Sequence, residues 1–229
     1  SGIVVYLKKD KRLAEYLKLN ANIKKVPDIA FSYKQPNYPI IKNPYKKTIG
    51  VCSFSYEEFP LNKIAKILST LSPNEYTISL IAVVDVRNRF SDLNTCLKLK
   101  ETILKLNPKA DIVIKNYQYL DVTYSHIQNL DYLVSFKLHP SLVGIRNNVP
   151  TFCLSKLSKV RSLLQAFDLE DFFCNYEEEE AVLQAKLEHV LKNGKNRMSQ
   201  IAYKIKEMEQ LSDIALAALK KEIENLHHS

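Results

Sequence analysis

The 229-residue chain has only four glycines, and this scarcity excludes the common nucleotide-binding fingerprints. It contains neither the G-x-G-x-x-G turn of dinucleotide-binding folds nor a P-loop, because both need several glycines close together. The G-x-S-x-G elbow of α/β-hydrolases and the H-E-x-x-H zinc motif are also missing from the sequence. The sequence therefore does not predict these nucleotide-dependent or hydrolytic enzyme classes.

Cysteine is scarce as well, and the apolar runs are short. The four cysteines form no C-x-x-C pair and no metal-binding pattern with histidine, so we predict no metal site. We expect them to be small buried hydrophobic residues in a reducing cytoplasm. No apolar run approaches the roughly 18 residues of a membrane span. A cytoplasmic location is expected on these grounds.

Positive charge is abundant, although arginine is not. The net charge of +8 arises from 27 lysines and six arginines against 25 acidic residues. No basic-aromatic cluster of a known nucleic-acid reader accompanies the lysines, so nucleic acid is not predicted as a partner. A polyanionic small molecule, the anionic face of a membrane or a solvated lysine surface would each account for this charge.

Apolar runs alternate with helix-like segments from Thr48 onward. Strands are expected at 49–54, 76–86, 111–114, 131–136 and 150–154, and helices near 60–71, 91–106, 121–129, 139–147 and 158–167. Strands that are apolar on both faces and alternate with helices are typical of a parallel sheet covered on both sides. We therefore predict a doubly wound, Rossmann-like α/β domain over residues 48–175.

The segments on either side of this domain have different patterns. Residues 32–47 contain three prolines and no regular period, which predicts a linker or long loop. Residues 176–226 are predicted to form C-terminal helices, 177–193 and 196–226, separated by the helix-stop signal Asn193-Gly194. The acidic run 177–180 is interpreted as a helix start rather than as a catalytic cluster.

Cationic side chains follow three of the predicted strands, at the edge where such sheets bind ligands. They are Arg87 and Arg89 after 76–86, Lys137 and His139 after 131–136, and Lys156 and Lys159 after 150–154. His139 also begins a predicted helix, whose free N–H groups favour an anion. The sequence predicts a phosphate or carboxylate site here; the alternative is that His139 caps a helix and the lysines are solvated.

The segment D-Y-L-V-S-F-K-L-H-P-S-L-V-G-I-R-N-N-V-P-T-F resembles the polysaccharide pyruvyl transferase family. That family has a strand, then Arg-Leu-His, then a helix and a Gly-Val-Pro entering the next strand, with the interval found here between His139 and Pro150. Downstream, S-K-L-S-K-V-R-S-L-L-Q-A-F-D-L resembles its Tyr-x-x-Lys-Val and a helix ending in Leu-Gly-Leu. Upstream, V-P-D-I-A-F resembles Pro-Asp-x-Ala-Phe, and K-D-K-R-L-A-E-Y-L resembles Arg-Glu-x-x-Ser-x-x-x-Leu. The four segments follow the family's order.

The chain departs from this pattern at several positions. Lysine replaces the family arginine at Lys137 and Lys9 and lacks the planar fork of a guanidinium. The remaining replacements are Leu13 for serine, Lys156 for tyrosine and Asn148 for the glycine before Pro150. The resemblance implies a C-terminal GT-B-like domain, with residues 3–47 as the remnant of an N-terminal domain and a linker. Three explanations stay open: a shortened chain, an enzyme that needs a partner, and a chain that no longer catalyses.

The resemblance implies transfer of a pyruvyl unit from phosphoenolpyruvate to two hydroxyls of a saccharide or lipid-linked saccharide, forming a cyclic ketal without a cofactor. Cations would neutralise the donor's carboxylate and phosphate: Lys137, Lys159 and Lys9, with Arg87, Arg89 and Lys156 as further contacts. His139 would carry a proton or bind phosphate. The implied setting is cell-envelope exopolysaccharide synthesis, in the cytoplasm at the inner face of the membrane.

Two alternatives stay open at this point. A GT-B glycosyltransferase has a C-terminal domain of the same architecture and also binds an anion at this edge. Retaining members place a glutamate seven residues before the proline, where this chain has Val143. The second alternative is a catalytically retired binding module of the same fold, which the arginine-to-lysine changes favour.

Overall fold

The computed structural model describes residues 27–34, 36, 38–55, 58–86 and 90–227. Contacts divide the described residues into two units, one formed by 27–34 together with those from Tyr203 onward, and the other by the described residues between 36 and 202. In the smaller unit, Ser32 Oγ donates a hydrogen bond to Ser212 Oγ at 2.6 Å. The larger unit contains every described strand.

Six parallel strands of the larger unit form one sheet. In chain order the strands of the structure are β1 (Lys47–Cys52), β2 (Tyr76–Ile81), β3 (Asp85–Val86), β4 (Phe90–Ser91), β5 (Ile112–Lys115), β6 (Tyr132–Ser135), β7 (Thr151–Leu154) and β8 (Phe173–Cys174). The sheet has the order β5-β2-β1-β6-β7-β8. Val51 of β1 lies opposite Leu80 of β2 and Val134 of β6, which fixes the register of the central strands. The predicted parallel sheet is confirmed.

Helices connect the strands and cover both faces of the sheet. They are α1 (Leu61–Ser69), α2 (Asp92–Leu106), α3 (Leu120–Gln128), α4 (Leu138–Arg146) and α5 (Ser158–Ala166), followed by α6 (Glu180–His227). Crossovers between parallel strands are right-handed as a rule, and with this strand order the rule puts α1 and α2 on one face and α3, α4 and α5 on the other. The packing of α1 on α2, α3 on α4 and α4 on α5 agrees with this arrangement. Every residue of β6 and β7 is therefore buried.

The strand predicted over 76–86 is shorter than expected and ends at Ile81. Beyond it, the backbone N–H groups of Val83 and Val84 donate to Oδ2 of Asp92, at 3.1 and 3.0 Å. Further along the chain, β3 pairs antiparallel with β4. The buried carboxylate of Asp92 thus accepts the backbone N–H groups that would have bonded to a neighbouring strand if β2 were longer. The apolar run in the sequence gives no sign of this contact.

The prediction of two C-terminal helices is wrong, because α6 continues through Asn193-Gly194. Gly194 has no positive φ, so it does not end the helix by a left-handed cap. A Cβ atom at this position would lie 2.5 Å from Cβ of Pro150, the residue before β7. Glycine is therefore needed at this position because α6 passes so close to Pro150 that a side chain would not fit.

Two helices of the sheet domain end in Schellman motifs. Asn148, with φ of 59°, follows α4; its N–H donates to Ile145 O at 3.0 Å, and the N–H of Val149 donates to Gly144 O at 2.9 Å. Asp168, with φ of 55°, ends α5 in the same way. Asn and Asp enter this left-handed region most readily after glycine. Asn148 therefore keeps the turn for which the pyruvyl transferase pattern uses glycine.

All four cysteines are free and buried, as predicted. Burial raises the pKa of the Cys96 thiol to about 11 and that of Cys153 to about 12. Burial also raises the pKa of the Cys52 and Cys174 thiols. The thiols therefore stay protonated at neutral pH and pack as small apolar side chains, as Cys52 does among Ile81, Ile127, Leu130, Leu133, Val143 and Val149.

Candidate functional site

The sheet reverses its direction of winding between β1 and β6, the two strands at its centre. From β1 the chain proceeds outward to β2 and β5, and from β6 it proceeds outward to β7 and β8. The crevice beyond the carboxyl ends of β1 and β6 is the place where such sheets bind ligands. Lys137 and His139 directly follow β6, so they lie at the edge where the sequence predicted them.

Two buried serines hold the turn between β6 and α4. The carbonyl oxygen of Lys137 accepts hydrogen bonds from Ser135 Oγ at 2.9 Å and from Ser141 Oγ at 2.7 Å. The N–H of Lys137 donates to Ser135 Oγ at 3.3 Å. Both serines are fully buried. These contacts fix the backbone from which the Lys137 and His139 side chains project.

The side chain of Lys137 points inward to a buried carboxylate. Its Nζ lies 2.6 Å from Oδ2 of Asp92, the first residue of α2. Asp92 is fully buried, whereas the Lys137 side chain is 23% exposed. The same Oδ2 accepts the N–H groups of Val83 and Val84, while Oδ1 has no hydrogen-bond partner within the described part of the chain. The sequence predicted a lysine charge that faces a ligand; the structure pairs it with Asp92, because a buried carboxylate requires a cation.

Asp92 is the site residue that the sequence analysis missed. The only signal was an acidic residue in the first turn of a predicted helix, where acids are common because the helix dipole favours them. The ion pair joins residues 45 positions apart in the chain. It links the β2–α2 connection to the β6–α4 connection, so Asp92 belongs to the crevice.

His139 is the second residue of α4, and its side chain is exposed. Within the residues that the structure describes, its ring makes no hydrogen bond or ion pair. The helix has no side-chain N-cap, and Pro140 contributes no N–H. Leu138 and His139 are the first two residues of the helix, so their N–H groups have no acceptor within it. An imidazole and two backbone donors are available together at the crevice.

Four aromatic side chains pack together beyond the carboxyl ends of β1 and β6. Phe54 and Phe136 follow these strands, and Phe59 and Tyr176 complete the cluster. Ring centroids of neighbouring members are 5.0 to 6.3 Å apart, and Phe54 and Phe59 meet edge to face at 89°. All four are buried. The base of the crevice is thus apolar, which strengthens electrostatic interactions near it.

Lys156 follows β7, but its ammonium group already has two partners. Its Nζ lies 2.5 Å from Oε1 of Glu177 and 5.2 Å from the centre of the Tyr176 ring. The hydrogen bond from Lys156 lowers the pKa of Glu177, and the same bond raises the pKa of Lys156. Helix α6 begins only at Glu180, so the expectation that the whole run 177–180 starts a helix is wrong: residues 177–179 precede the helix.

A second lysine holds the segment that carries Tyr176 and Glu177. Nζ of Lys63, on α1, donates to the backbone carbonyls of Tyr176 and Glu177 at 3.2 Å each and of Glu178 at 2.7 Å. Three carbonyls on one ammonium saturate its donors. Lys63 therefore fixes this segment against the start of α1.

The other predicted site residues fall into two groups. Lys159 is the second residue of α5, exposed and one strand beyond the crevice. Lys9, Arg87 and Arg89 lie outside the described residues. The structure therefore brings Lys137 and His139 together at the crevice and puts Lys156 and Lys159 at the neighbouring strand end.

The family comparison identifies the region that contains this crevice. A family model of polysaccharide pyruvyl transferase matches residues 8–156, which is 149 of the 229 residues. The match includes Asp92, Lys137 and His139. A comparison with curated protein sequences gave no match.

Several solved structures have a similar fold. A Thermobaculum terrenum O-GlcNAc transferase mutant has a TM-score of 0.51 at 15% identity, over 88% of this chain and 41% of that chain. Trehalose-6-phosphate synthase (OtsA) has a TM-score of 0.55 at 12% identity, over 87% and 51%. The alpha,alpha-trehalose 6-phosphate synthase of Burkholderia multivorans has a TM-score of 0.50 at 10% identity, over 96% and 48%. The chain therefore spans about half the length of the structures it matches. These neighbours are GT-B glycosyltransferases, and the likeness confirms the predicted fold type.

Proposed function

Because this chain belongs to the polysaccharide pyruvyl transferase family, we propose that it acts in the transfer of a pyruvyl unit from phosphoenolpyruvate to a saccharide acceptor. The observation that carries this proposal is the position of His139. Its imidazole is exposed on the first turn of α4, inside the matched region, where the sheet reverses its direction of winding between β1 and β6. A parallel sheet binds its ligands at this place.

In the first step, a saccharide hydroxyl adds to C2 of phosphoenolpyruvate, and the C3 methylene gains a proton to become a methyl group. A side chain that both removes and delivers protons suits this step, and imidazole does so readily near neutral pH. His139 is assigned this role. Its ring has no competing hydrogen bond or ion pair within the described residues.

In the second step, phosphate leaves C2 and the second hydroxyl attacks the same carbon. Of the two hydroxyl protons, one ends in the new methyl group and the other on the released phosphate, so no oxidant or reductant is needed. The developing negative charge calls for donors. The first-turn N–H groups of α4 supply two of them, and the helix dipole adds to their effect.

Lys137 contributes to this site as half of an ion pair. An ammonium group has three donors, and Asp92 accepts one of them. We infer that Asp92 is a positioning residue, which holds Lys137 beside His139 and cancels most of its charge. The cations that neutralise the donor's carboxylate and phosphate are then Lys159, with Lys9, Arg87 and Arg89 from outside the described residues.

We also propose a cytoplasmic location at the inner face of the membrane, where a lipid-linked saccharide would be met. The net charge of +8 supports contact with an anionic surface. No described helix combines the length and apolar composition that crossing a membrane requires.

A nucleotide-sugar transferase is the second candidate, favoured by the fold that the chain has in common with the glycosyltransferases named above. Ligand-induced stabilisation separates the two candidates. At one hundred times its dissociation constant a ligand adds about 2.7 kcal/mol to the free energy of unfolding. We expect phosphoenolpyruvate to raise the melting temperature more than UDP- or CMP-sugars do. A larger shift with a nucleotide sugar would favour the second candidate.

His139→Ala tests the assigned proton carrier. Phosphate release from phosphoenolpyruvate in the presence of a saccharide panel should fall roughly 10²- to 10⁴-fold. The melting temperature should barely change, because the side chain is exposed. The matched control is His189→Ala, on α6, where the imidazole lies 3.0 Å from Oδ2 of Asp171. That variant should keep its turnover. Normal turnover of His139→Ala would refute the role.

A further inference from the structure

A second recess lies next to the crevice, beyond the carboxyl ends of β7 and β8. It has a volume of about 630 Å³ and lies between the start of α5, the residues after β8 and the start of α6. Its charged lining consists of Lys156, Arg161 and Lys186 against the single acid Glu178. Arg161 and Lys186 have no part in the mechanism above, so the recess calls for a separate account.

Two of these cations lack a carboxylate partner. The guanidinium carbon of Arg161 lies 5.7 Å from the centre of the Phe173 ring, and Lys186 Nζ donates to the carbonyl of Asp171 at 3.2 Å. Neither forms a salt bridge with a carboxylate of the described residues. Lys156 differs, because it is paired with Glu177. Cations that line one recess without counter-ions attract an anion to it.

Uncharged donors in the lining favour the same kind of ligand. Helix α5 begins at Ser158 without a side-chain N-cap, so its first N–H groups are available to an anion. The side-chain oxygen of Asn175 accepts the N–H of Glu177, which leaves the amide NH₂ as a donor. The planar fork of Arg161 matches two oxygens of one phosphate. Phe173 and Val182 add apolar surface beside these polar groups.

We propose that this recess binds the phosphate group of a phosphorylated saccharide, the acceptor of the proposed reaction. Strand β8 lies two positions from β6 in the sheet. Neighbouring strands are about 4.8 Å apart, so the recess is about 10 Å along the sheet edge from the start of α4. A short saccharide bridges this distance, with its phosphate in the recess and its hydroxyls at His139. The inference rests on the proposed function for the identity of the acceptor.

The experiment is a calorimetric titration of the chain with glucose 1-phosphate, and separately with glucose, inorganic phosphate and phosphoenolpyruvate. Glucose 1-phosphate should bind more tightly than glucose or inorganic phosphate. Arg161→Gln and Lys186→Gln should each weaken its binding by roughly 10- to 100-fold, because each removes a hydrogen bond from a charged donor. The matched control is Lys192→Gln, an exposed lysine of α6 outside the recess. Neither recess variant should change the affinity for phosphoenolpyruvate.

Several results would overturn this assignment. They are no binding of glucose 1-phosphate by the unmodified chain, equal effects of Arg161→Gln and Lys192→Gln, and equal affinity for glucose 1-phosphate and inorganic phosphate. A parallel loss of phosphoenolpyruvate affinity in the recess variants would assign the recess to the donor instead. If glucose 1-phosphate binds through Arg161 while phosphoenolpyruvate does not bind at all, the recess stands and the pyruvyl transfer proposal fails.

Discussion

Asp92→Asn tests whether the Asp92–Lys137 ion pair organises the crevice. Asparagine has the shape of aspartate and keeps an oxygen for the N–H groups of Val83 and Val84, so the main loss is the charge that faces Lys137. Breaking a buried ion pair by removing one partner costs about 3–5 kcal/mol. The Lys137 side chain is 23% exposed and keeps part of its hydration. We therefore expect a loss near the lower limit, about 3 kcal/mol in the free energy of unfolding.

The reciprocal variant, Lys137→Met, leaves the fully buried carboxylate of Asp92 without its cation. It should cost at least as much, about 3–5 kcal/mol. In the double variant both charges are gone, so its cost should be smaller than the sum of the single costs by about 1–3 kcal/mol. Urea unfolding followed by circular dichroism measures all three. Glu101→Gln is the control, because it breaks a solvent-exposed ion pair with Lys105 on the same helix and should leave the unfolding midpoint almost unchanged.

Single variants that each cost less than about 1 kcal/mol, together with an additive double variant, would refute this reasoning. Solvent would then screen the pair as it screens a surface pair. Asp92 could not in that case be the residue that positions Lys137. Binding of phosphoenolpyruvate by the stable variants would give a second readout, since Asp92→Asn frees the lysine charge for an anion.

Two further predictions concern the fold. Asn148→Ala should lower the free energy of unfolding by about 1–2 kcal/mol, because alanine is strained at φ of 59°. Asn148→Gly should melt at the temperature of the unmodified chain or above it, because glycine adopts this φ without strain. Equal melting temperatures for the two variants would contradict the left-handed turn. Hydrogen bonds from Lys46 and Thr77 hold the pKa of Asp111 below its ordinary 3.8, so the stability they provide is complete above that value and is lost as pH falls through the lower folded-state pKa. As pH falls, the melting temperature of the unmodified chain should therefore drop more steeply than that of Asp111→Asn. Parallel curves for the two proteins would contradict the lowered pKa of Asp111.

The sheet could be predicted because its evidence is local in the sequence. Strands buried on both faces are continuous apolar runs, and β6 and β7 have this character over every residue. The loops between runs are long enough for helical crossovers, which implies a parallel sheet. The apolar runs and the long connections between them are enough to predict that Lys137 and His139 lie at the carboxyl edge of the sheet.

Other features depend on contacts between distant parts of the chain, and sequence pattern does not reveal them. The Asp92–Lys137 pair exists because two βα connections meet, and neither residue is unusual for its own helix. Gly194 resembled a helix stop, although its role is to pass close to Pro150. Strand β8 has only two residues, Phe173 and Cys174, too few to give a periodic signal.

The four buried cysteines also provide a means to observe how the fold opens. Thiol reagents attack the thiolate, and burial both blocks access to these sulfurs and disfavours their ionisation. Labelling therefore requires a local or global opening event. Cys174 lies on the two-residue edge strand, whereas Cys52 lies on β1 between two partner strands. The rates at which a thiol reagent modifies these two residues, each divided by the rate for an exposed thiol, would give the opening free energy at the edge and at the centre of the sheet.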